Sequence, residues 1–282
     1  MATFYNQATL TYRGGAVNSN IVTAELIEAL TVSKTSLLET YGSGERMTYV
    51  IGIVNSSDTP ISTLTLTDDL GAYPFGTGTV YPLTYVDGSV KAFINGTPAA
   101  DPTVTDTDPL TLSGISVPAI GDTVVVYSAD VTVFAPPAPD GSIVNTVTVN
   151  GAGAPVSATE TVSARSDSSL TITKSIDPQS VVGEDPLTYT FVIQNLGNEE
   201  AAADENIVLS DVFDPILDIT AVTLDGTPLT EGTDYTYDEA TGTFATVAGR
   251  ITVPAATYEQ DPVTGGYNVV PGSVTLTVTG TV

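Results

Sequence analysis

Residues 274–282 read VTLTVTGTV. Thr and Val alternate there with a period of two, and a β-branched run of that period is a half-buried strand. The same signature recurs as LTLTD (64–68), VTVNG (147–151) and SLTITK (169–174). Gly, Pro, Asn and Asp interrupt these runs at short intervals, which is the punctuation of antiparallel strands in a sandwich. Mild helical character occurs over Ala24–Leu30, but that stretch is short and adjoins a strand pattern, so it reads as extended. The expected fold is all-β, built from Ig-like antiparallel sandwiches.

Outward from these runs, the chain repeats itself. TVSKTS (31–36) matches TITKSI (171–176), and TYVIGIVN (48–55) matches TYTFVIQN (188–195). LTLTDD (64–69) matches IVLSDV (207–212), INGTP (94–98) matches LDGTP (224–228), and ISVPA (115–119) matches ITVPA (251–255). The offset holds near one value: 174 − 34 = 140 at the lysines and 211 − 68 = 143 at the aspartates. Ordered matches at one offset identify two copies of one domain.

The copies differ at their ends. The first continues through FAPPAPDG (134–141) into SIVNTVTVNG (142–151), a closing strand that carries Asn145. The second stops at VTLTVTGTV, with no equivalent after it. The missing piece stands at the other end, where YNQATLTYRGG aligns with the closing segment and Asn6 falls opposite Asn145. The distance to the next lysine agrees within one residue: 34 − 6 = 28 and 174 − 145 = 29. The expected organisation is a donor strand over 1–14, a first repeat over 15–160 and a second repeat over 161–282 lacking its closing strand.

A sandwich short of one strand exposes a sheet edge and an apolar groove. A loose strand in turn cannot satisfy its own backbone or bury Phe4, Ala8 and Leu10. Donor-strand addition answers both needs, because a strand from one chain can fill the gap in another. That contact is heterologous and generates an open, head-to-tail homopolymer of the chain with itself. The alternative is a closed monomer in which the strand returns to its own second repeat; the linker from Arg13 to Ala29 spans at most ~55 Å. The closed form suits a surface adhesin or binding module, the open form a filament subunit.

Strand phase places three polar residues on apolar faces. Leu30, Val32 and Lys34 share a face, as do Leu170, Ile172 and Lys174. Leu64, Leu66 and Asp68 share one, as do Ile207, Leu209 and Asp211. Ile143, Asn145, Val147 and Val149 share one, as do Phe4, Asn6, Ala8 and Leu10. Asp69 has the opposite phase to Asp68. A buried ammonium must be paired or chemically changed. Two readings follow: a buried Lys–Asp ion pair with an Asn hydrogen bond, or a spontaneous Lys–Asn isopeptide bond. In the second, a desolvated amine attacks an Asn amide polarised by a protonated carboxyl group, and ammonia leaves.

Lys in the first strand, an acid in a middle strand and Asn in the last resembles the intramolecular isopeptide domains of Gram-positive pili and adhesins. The wider pattern, TITKS…GEDPLTYTFVIQNLGN…LSD…ITVPA with the closing NTVTV of the first repeat, resembles the bacterial surface "conserved repeat" family, domain of unknown function eleven. Paired repeats of this kind are similar to the structural proteins of clostridial spore appendages. The resemblance implies an extracellular or spore-surface location. It also implies a bond from Lys34 to Asn145 within the chain, assisted by Asp68. A second bond would run from Lys174 to Asn6 of a neighbouring subunit, assisted by Asp211.

Composition narrows the classes. The chain has 282 residues, 33 acidic against 7 basic, for a net charge of −26. Such a surface repels nucleic acid and anionic membranes, so neither is an expected partner. There is no His, Cys or Trp, which removes the common neutral-pH base, the thiol nucleophile and the soft metal ligands. An enzyme acting on an external substrate is therefore not expected, and no cofactor or metal is. The acidic segments NEEAAADEN (198–206) and Asp101, Asp106 and Asp108 lack the spacing of a calcium loop and read as solvated loops. No apolar run approaches the length of a membrane span. The opening MATFYNQATLTYRGG has neither the basic nor the apolar region of a signal peptide.

Overall fold

A computed structural model describes residues 2–26 and 29–282. The first repeat is a sandwich of two sheets. In one, the strands run in the order Thr97–Pro98, Lys91–Ile94, Gly121–Val131, Arg46–Asn55, Leu30–Ser36, with Leu83–Tyr85 also paired to Gly121–Val131. In the other the order is Thr103–Thr107, Leu110–Val117, Ile61–Asp68, Ser142–Asn150, Val156–Ala164, Thr40–Tyr41. Period-two alternation delivers the core: Met47, Tyr49, Ile51 and Ile53 from one strand meet Leu64 and Leu66, Val147 and Val149 from the facing sheet.

The second repeat reproduces the five-strand path of the first sheet, as Leu170–Asp177, Leu187–Asn195, Gly272–Thr281, Asp218–Leu224, Thr227–Pro228, with no separate counterpart of Leu83–Tyr85 among the described residues. Its other sheet holds only Ser210–Val212, Thr243–Thr246 and Tyr235–Asp238. In the first repeat the Asp68 strand pairs on one side with Leu110–Val117 and on the other with Ser142–Asn150. The Asp211 strand has only the first of these neighbours among the described residues. Its other edge is open.

Ahead of both repeats stands an arm. Ala2–Asn6 pairs with Val22–Leu26, and Thr9–Tyr12 pairs with Gly15–Asn18, all antiparallel. Among the described residues the arm strands pair only with each other, and Phe4, Tyr5, Leu10, Tyr12, Val17 and Val22 are exposed. The segment expected to donate a strand is thus one leg of a hairpin. Its other leg is Gly15–Asn18 and Val22–Leu26, which satisfy its backbone groups. The strand Val156–Ala164 pairs with the closing strand Ser142–Asn150 along its length.

The two repeats meet through an insertion. After ISVPA the next strand begins two residues on (121 − 119 = 2), whereas after ITVPA it begins seventeen on (272 − 255 = 17). The extra chain forms the hairpin Thr257–Gln260 with Tyr267–Val270. It reaches across to the first repeat, where Tyr267 N donates to Val133 O at 2.9 Å and Gln260 Nε2 to Tyr73 Oη at 3.1 Å. Asn198 Nδ2 bridges Pro137 O and Arg165 O at 2.9 and 2.8 Å. A cleft of about 330 Å³ remains at this junction, lined by Tyr41, Gly42, Arg165, Tyr258 and Tyr267. No helix among the described residues is long and apolar enough to cross a membrane.

Candidate functional site

The first repeat brings its three predicted polar residues into one core. Val147 pairs with Asp68 across adjacent strands, so Asn145, two residues along the same face, sits diagonally beside the carboxylate. Lys34 arrives from the facing sheet, and its Nζ lies 2.6 Å from Asp68 Oδ2. Both side chains are fully buried, at 0% exposure. The backbone N–H of Leu70 donates to the other oxygen, Asp68 Oδ1, at 3.1 Å. Asp69 points away, as its phase predicts, and accepts from the backbone N–H groups of Gly71 and Thr146, tying this corner to the Asn145 strand.

Burial governs the electrostatics. It lowers the Lys34 ammonium below its ordinary range, and the adjacent Asp68 charge offsets only part of that. It raises the Asp68 carboxyl, against the pull of Lys34. Both directions favour uncharged partners over an ion pair, because desolvation penalises each charge.

Two tyrosines complete the site, and strand reading missed them. Tyr49 and Tyr127 pair across adjacent strands and stack with centroids 5.5 Å apart. Lys34 Nζ lies 5.0 Å from the Tyr49 ring centre, a cation–π distance. Asn145 Nδ2 donates to Tyr127 Oη at 3.1 Å. Burial, then the Asp68 charge, pushes the Tyr127 hydroxyl up, so it keeps its proton. Asn145 Oδ1 and Tyr49 Oη are buried without a partner. An unsatisfied buried acceptor costs roughly 1–3 kcal/mol. The signal available in the sequence was the inward phase of Tyr127 in VVVYSA, between Val125 and Ala129.

The second repeat carries the same pair without its cover. Lys174 bonds Asp211 Oδ2, yet the two side chains are 41% and 19% exposed. Lys174 Nζ stands over the rings of Tyr189, Phe191 and Phe213, at 4.6, 5.4 and 5.6 Å from their centres. Leu170 and Ile172, on the same face, are exposed, while their counterparts Leu30 and Val32 pack in the first core. The difference falls on the face that the closing hairpin covers in the first repeat, chiefly through its second leg Val156–Ala164. The partner opposite Tyr189 is Val278, so the hydroxyl supplied by Tyr127 has no counterpart.

Asn6 lies on the exposed arm, paired with Val22, and is not brought to Lys174 within the chain. The arm nevertheless copies the closing hairpin. Thr9 pairs with Asn18 and Leu10 with Val17; Thr148 pairs with Ser157 and Val149 with Val156. All four differences are 139 (148 − 9, 157 − 18, 149 − 10, 156 − 17), as is 145 − 6. Toward Asn6 the arm slips by one, since Asn6 faces Val22 whereas Asn145 faces Glu160. Ser19 absorbs the slip: Gln7 Nε2 donates to Ser19 O at 2.8 Å and Ala8 N to Ser19 Oγ at 2.9 Å.

The acidic loops take local partners. Asp101 bonds Lys91 at 2.6 Å, and Glu199 and Glu205 accept from Ser166 and Ser168, both at 2.9 Å. The described residues contain no group of His, Asp or Glu side chains arranged to hold a metal.

No protein-family profile matches the chain, and no curated protein matches it. Among solved structures it is similar to the major pilin subunit BcpA of Bacillus cereus, at 12% identity and a TM-score of 0.37, over 96% of this chain and 73% of that one. It is similar to the pilus backbone RrgB of Streptococcus pneumoniae at 13% identity and a TM-score of 0.35, over 86% of this chain. It spans only 55% of that RrgB chain. A fragment of the major pilin GBS80 of Streptococcus agalactiae matches at 14% identity and 0.33, over 86% of this chain and 91% of that one. At TM-scores this low the likenesses carry no functional weight.

Proposed function

We propose that the chain is a structural subunit that polymerises head-to-tail, the arm of one copy filling the open edge in the second repeat of the next. One observation carries this reading. The second repeat exposes the edge and face that a closing hairpin covers in the first, and the arm is a hairpin that keeps the closing hairpin's register around its turn and, among the described residues, pairs with neither repeat. Inserting the arm pairs its backbone with the Asp211 strand and buries Phe4 and Leu10, each worth about 1.5–3 kcal/mol. A strand returning to its own repeat would give a closed monomer instead. Electron micrographs of purified protein decide between them: fibres are expected, and a monomer at high concentration sinks the reading.

The Lys–Asp–Asn sets then act on the chain itself, as part of the same proposal. In the first repeat, Lys34 Nζ as a neutral amine attacks Asn145 Cγ while protonated Asp68 donates to Oδ1. Asp68 then takes a proton from the attacking nitrogen and passes it to Nδ2, the Cγ–Nδ2 bond breaks as the carbonyl re-forms, Asp68 recovers its proton from Oδ1, and ammonia leaves. A neutral amide replaces the Lys34 amine and the Asn145 amide, so no lysine charge remains to be buried and Asp68 stays as a neutral acid beside the new bond. In the second repeat, Lys174 reacts likewise with Asn6 of the neighbour, assisted by Asp211. The filament is extracellular or on a spore surface. No external substrate is turned over, and no cofactor takes part.

Intact mass under denaturing conditions tests the chemistry. Each subunit in the first-repeat bond is one ammonia short, and second-repeat bonds give a ladder of subunit multiples. Asn6→Ala removes the ladder and leaves both the fibres and the intrachain loss. A single species at full monomer mass contradicts both bonds. Asp68→Ala blocks the intrachain loss and leaves Lys34 buried and unpaired, lowering stability by roughly 3–5 kcal/mol in urea unfolding.

A further inference from the structure

The internal junction between the repeats is a template for a second contact, between copies. On the first repeat's side that junction uses Gly42, which lines the cleft, and Tyr73, which accepts from the insertion hairpin. The equivalent positions on the second repeat are Val182 (42 + 140) and Ile216 (73 + 143). Both are apolar, and they stand uncovered at the far end of the second repeat, Val182 at 83% exposure and Ile216 at 45%. An end face that is covered in one repeat is bare and apolar in the other.

The opposite end of the first repeat offers its complement. Ala256, where the insertion hairpin departs, is nearly buried; its counterpart by the ISVPA–ITVPA offset (256 − 136 = 120) is Ile120. Ile120 is 77% exposed and holds a φ of 46°, in the left-handed region. A β-branched residue is strained there, where a glycine would not be. Its backbone is pinned by a bond from Ile120 N to Ser57 O at 2.8 Å, so the side chain is presented as a fixed knob.

We infer that the far end of the second repeat, through Val182 and Ile216, docks on the Ile120 end of the first repeat of another copy. This contact rests on the head-to-tail reading and adds to the arm a separate end-to-end interface. It reuses the geometry of the internal junction with Ile120 in place of the insertion hairpin. Docking covers the apolar residues at both ends and makes use of the strained knob.

The test uses the full chain and its half-assembly concentration, read by sedimentation after a fixed time. Ile120→Gly relieves the strain, so its thermal midpoint is unchanged or raised. Its half-assembly concentration is expected to rise at least about tenfold, from loss of one buried aliphatic side chain. Ile120→Asp raises it further, and Ile120→Asp with Val182→Arg recovers part of the loss. If Ile120→Gly assembles at the parent concentration while arm deletion still abolishes assembly, the end-face contact is overturned and the arm reading stands. If the parent forms only dimers that Ile120→Asp dissociates and arm deletion does not, the end face is supported and the filament reading fails. A parent that sediments as a monomer at every concentration overturns both.

Discussion

Removing residues 1–26 is expected to leave a chain that stays monomeric at every concentration, while the parent forms fibres. The effect is all-or-none because the arm supplies everything the open edge lacks: backbone partners for the Asp211 strand, Phe4 and Leu10 for the exposed face, and Asn6 beside Lys174. None of the arm's described strands pairs with the repeats of its own chain, so its loss leaves their sheets intact. Far-ultraviolet circular dichroism should therefore report a folded β protein. The trimmed chain keeps its open groove and should act as a terminator, capping growing fibres of the parent at substoichiometric ratios. A synthetic peptide of residues 1–26 should bind it and protect the amides of the Asp211 strand from hydrogen exchange. If trimmed protein still polymerises, the edge is filled by something other than the arm.

Asn145→Ala is expected to produce the second largest change. The proposed Lys34–Asn145 bond would close a loop of 145 − 34 = 111 residues. By the chain-entropy argument used for disulfides, a cross-link over a loop near that length is worth about 4–5 kcal/mol. For a domain of this size that corresponds to a fall of roughly 10–20 °C in the thermal midpoint. The substitution also exposes the Lys34–Asp68 pair to its full desolvation cost, since no amide can form. The transition of the second repeat should move little, so calorimetry is expected to separate two transitions that the parent merges or orders differently. A variant midpoint equal to the parent's, with the parent itself at its full sequence mass after denaturation, would show that no bond joins these residues.

The fold class was legible in the sequence because strand formation on a half-buried sheet is a period-two signal, and VTLTVTGTV and its relatives carry that signal residue by residue. Phase alone put Lys34, Asp68 and Asn145 on inward faces, and the internal repeat fixed the correspondence of Asn6 with Asn145. Each of these depends on neighbours along the chain or on a constant offset. Tyr127 was not legible, since its role depends on a strand far from both Asn145 and Lys34 that only sheet order brings alongside. The arm's second leg was also hidden, because residues 15–26 alternate as well for the repeat as for the hairpin and only pairing decides between them.

What the sequence by itself determined is the all-β repeat, the inward polar set and the matching register of two distant segments. Tertiary structure alone decided that the two Lys–Asp pairs differ. Identical residues in identical phase are sealed in one repeat and open in the other, because burial is a property of what lies across the face. Tertiary structure also decided that a hairpin grown from one tight turn straps the repeats together, while the same turn in the first repeat ends in the bare, strained Ile120. The physical reason is the same in each case: alternation specifies which way a side chain points, and only the packing of distant strands specifies what it meets.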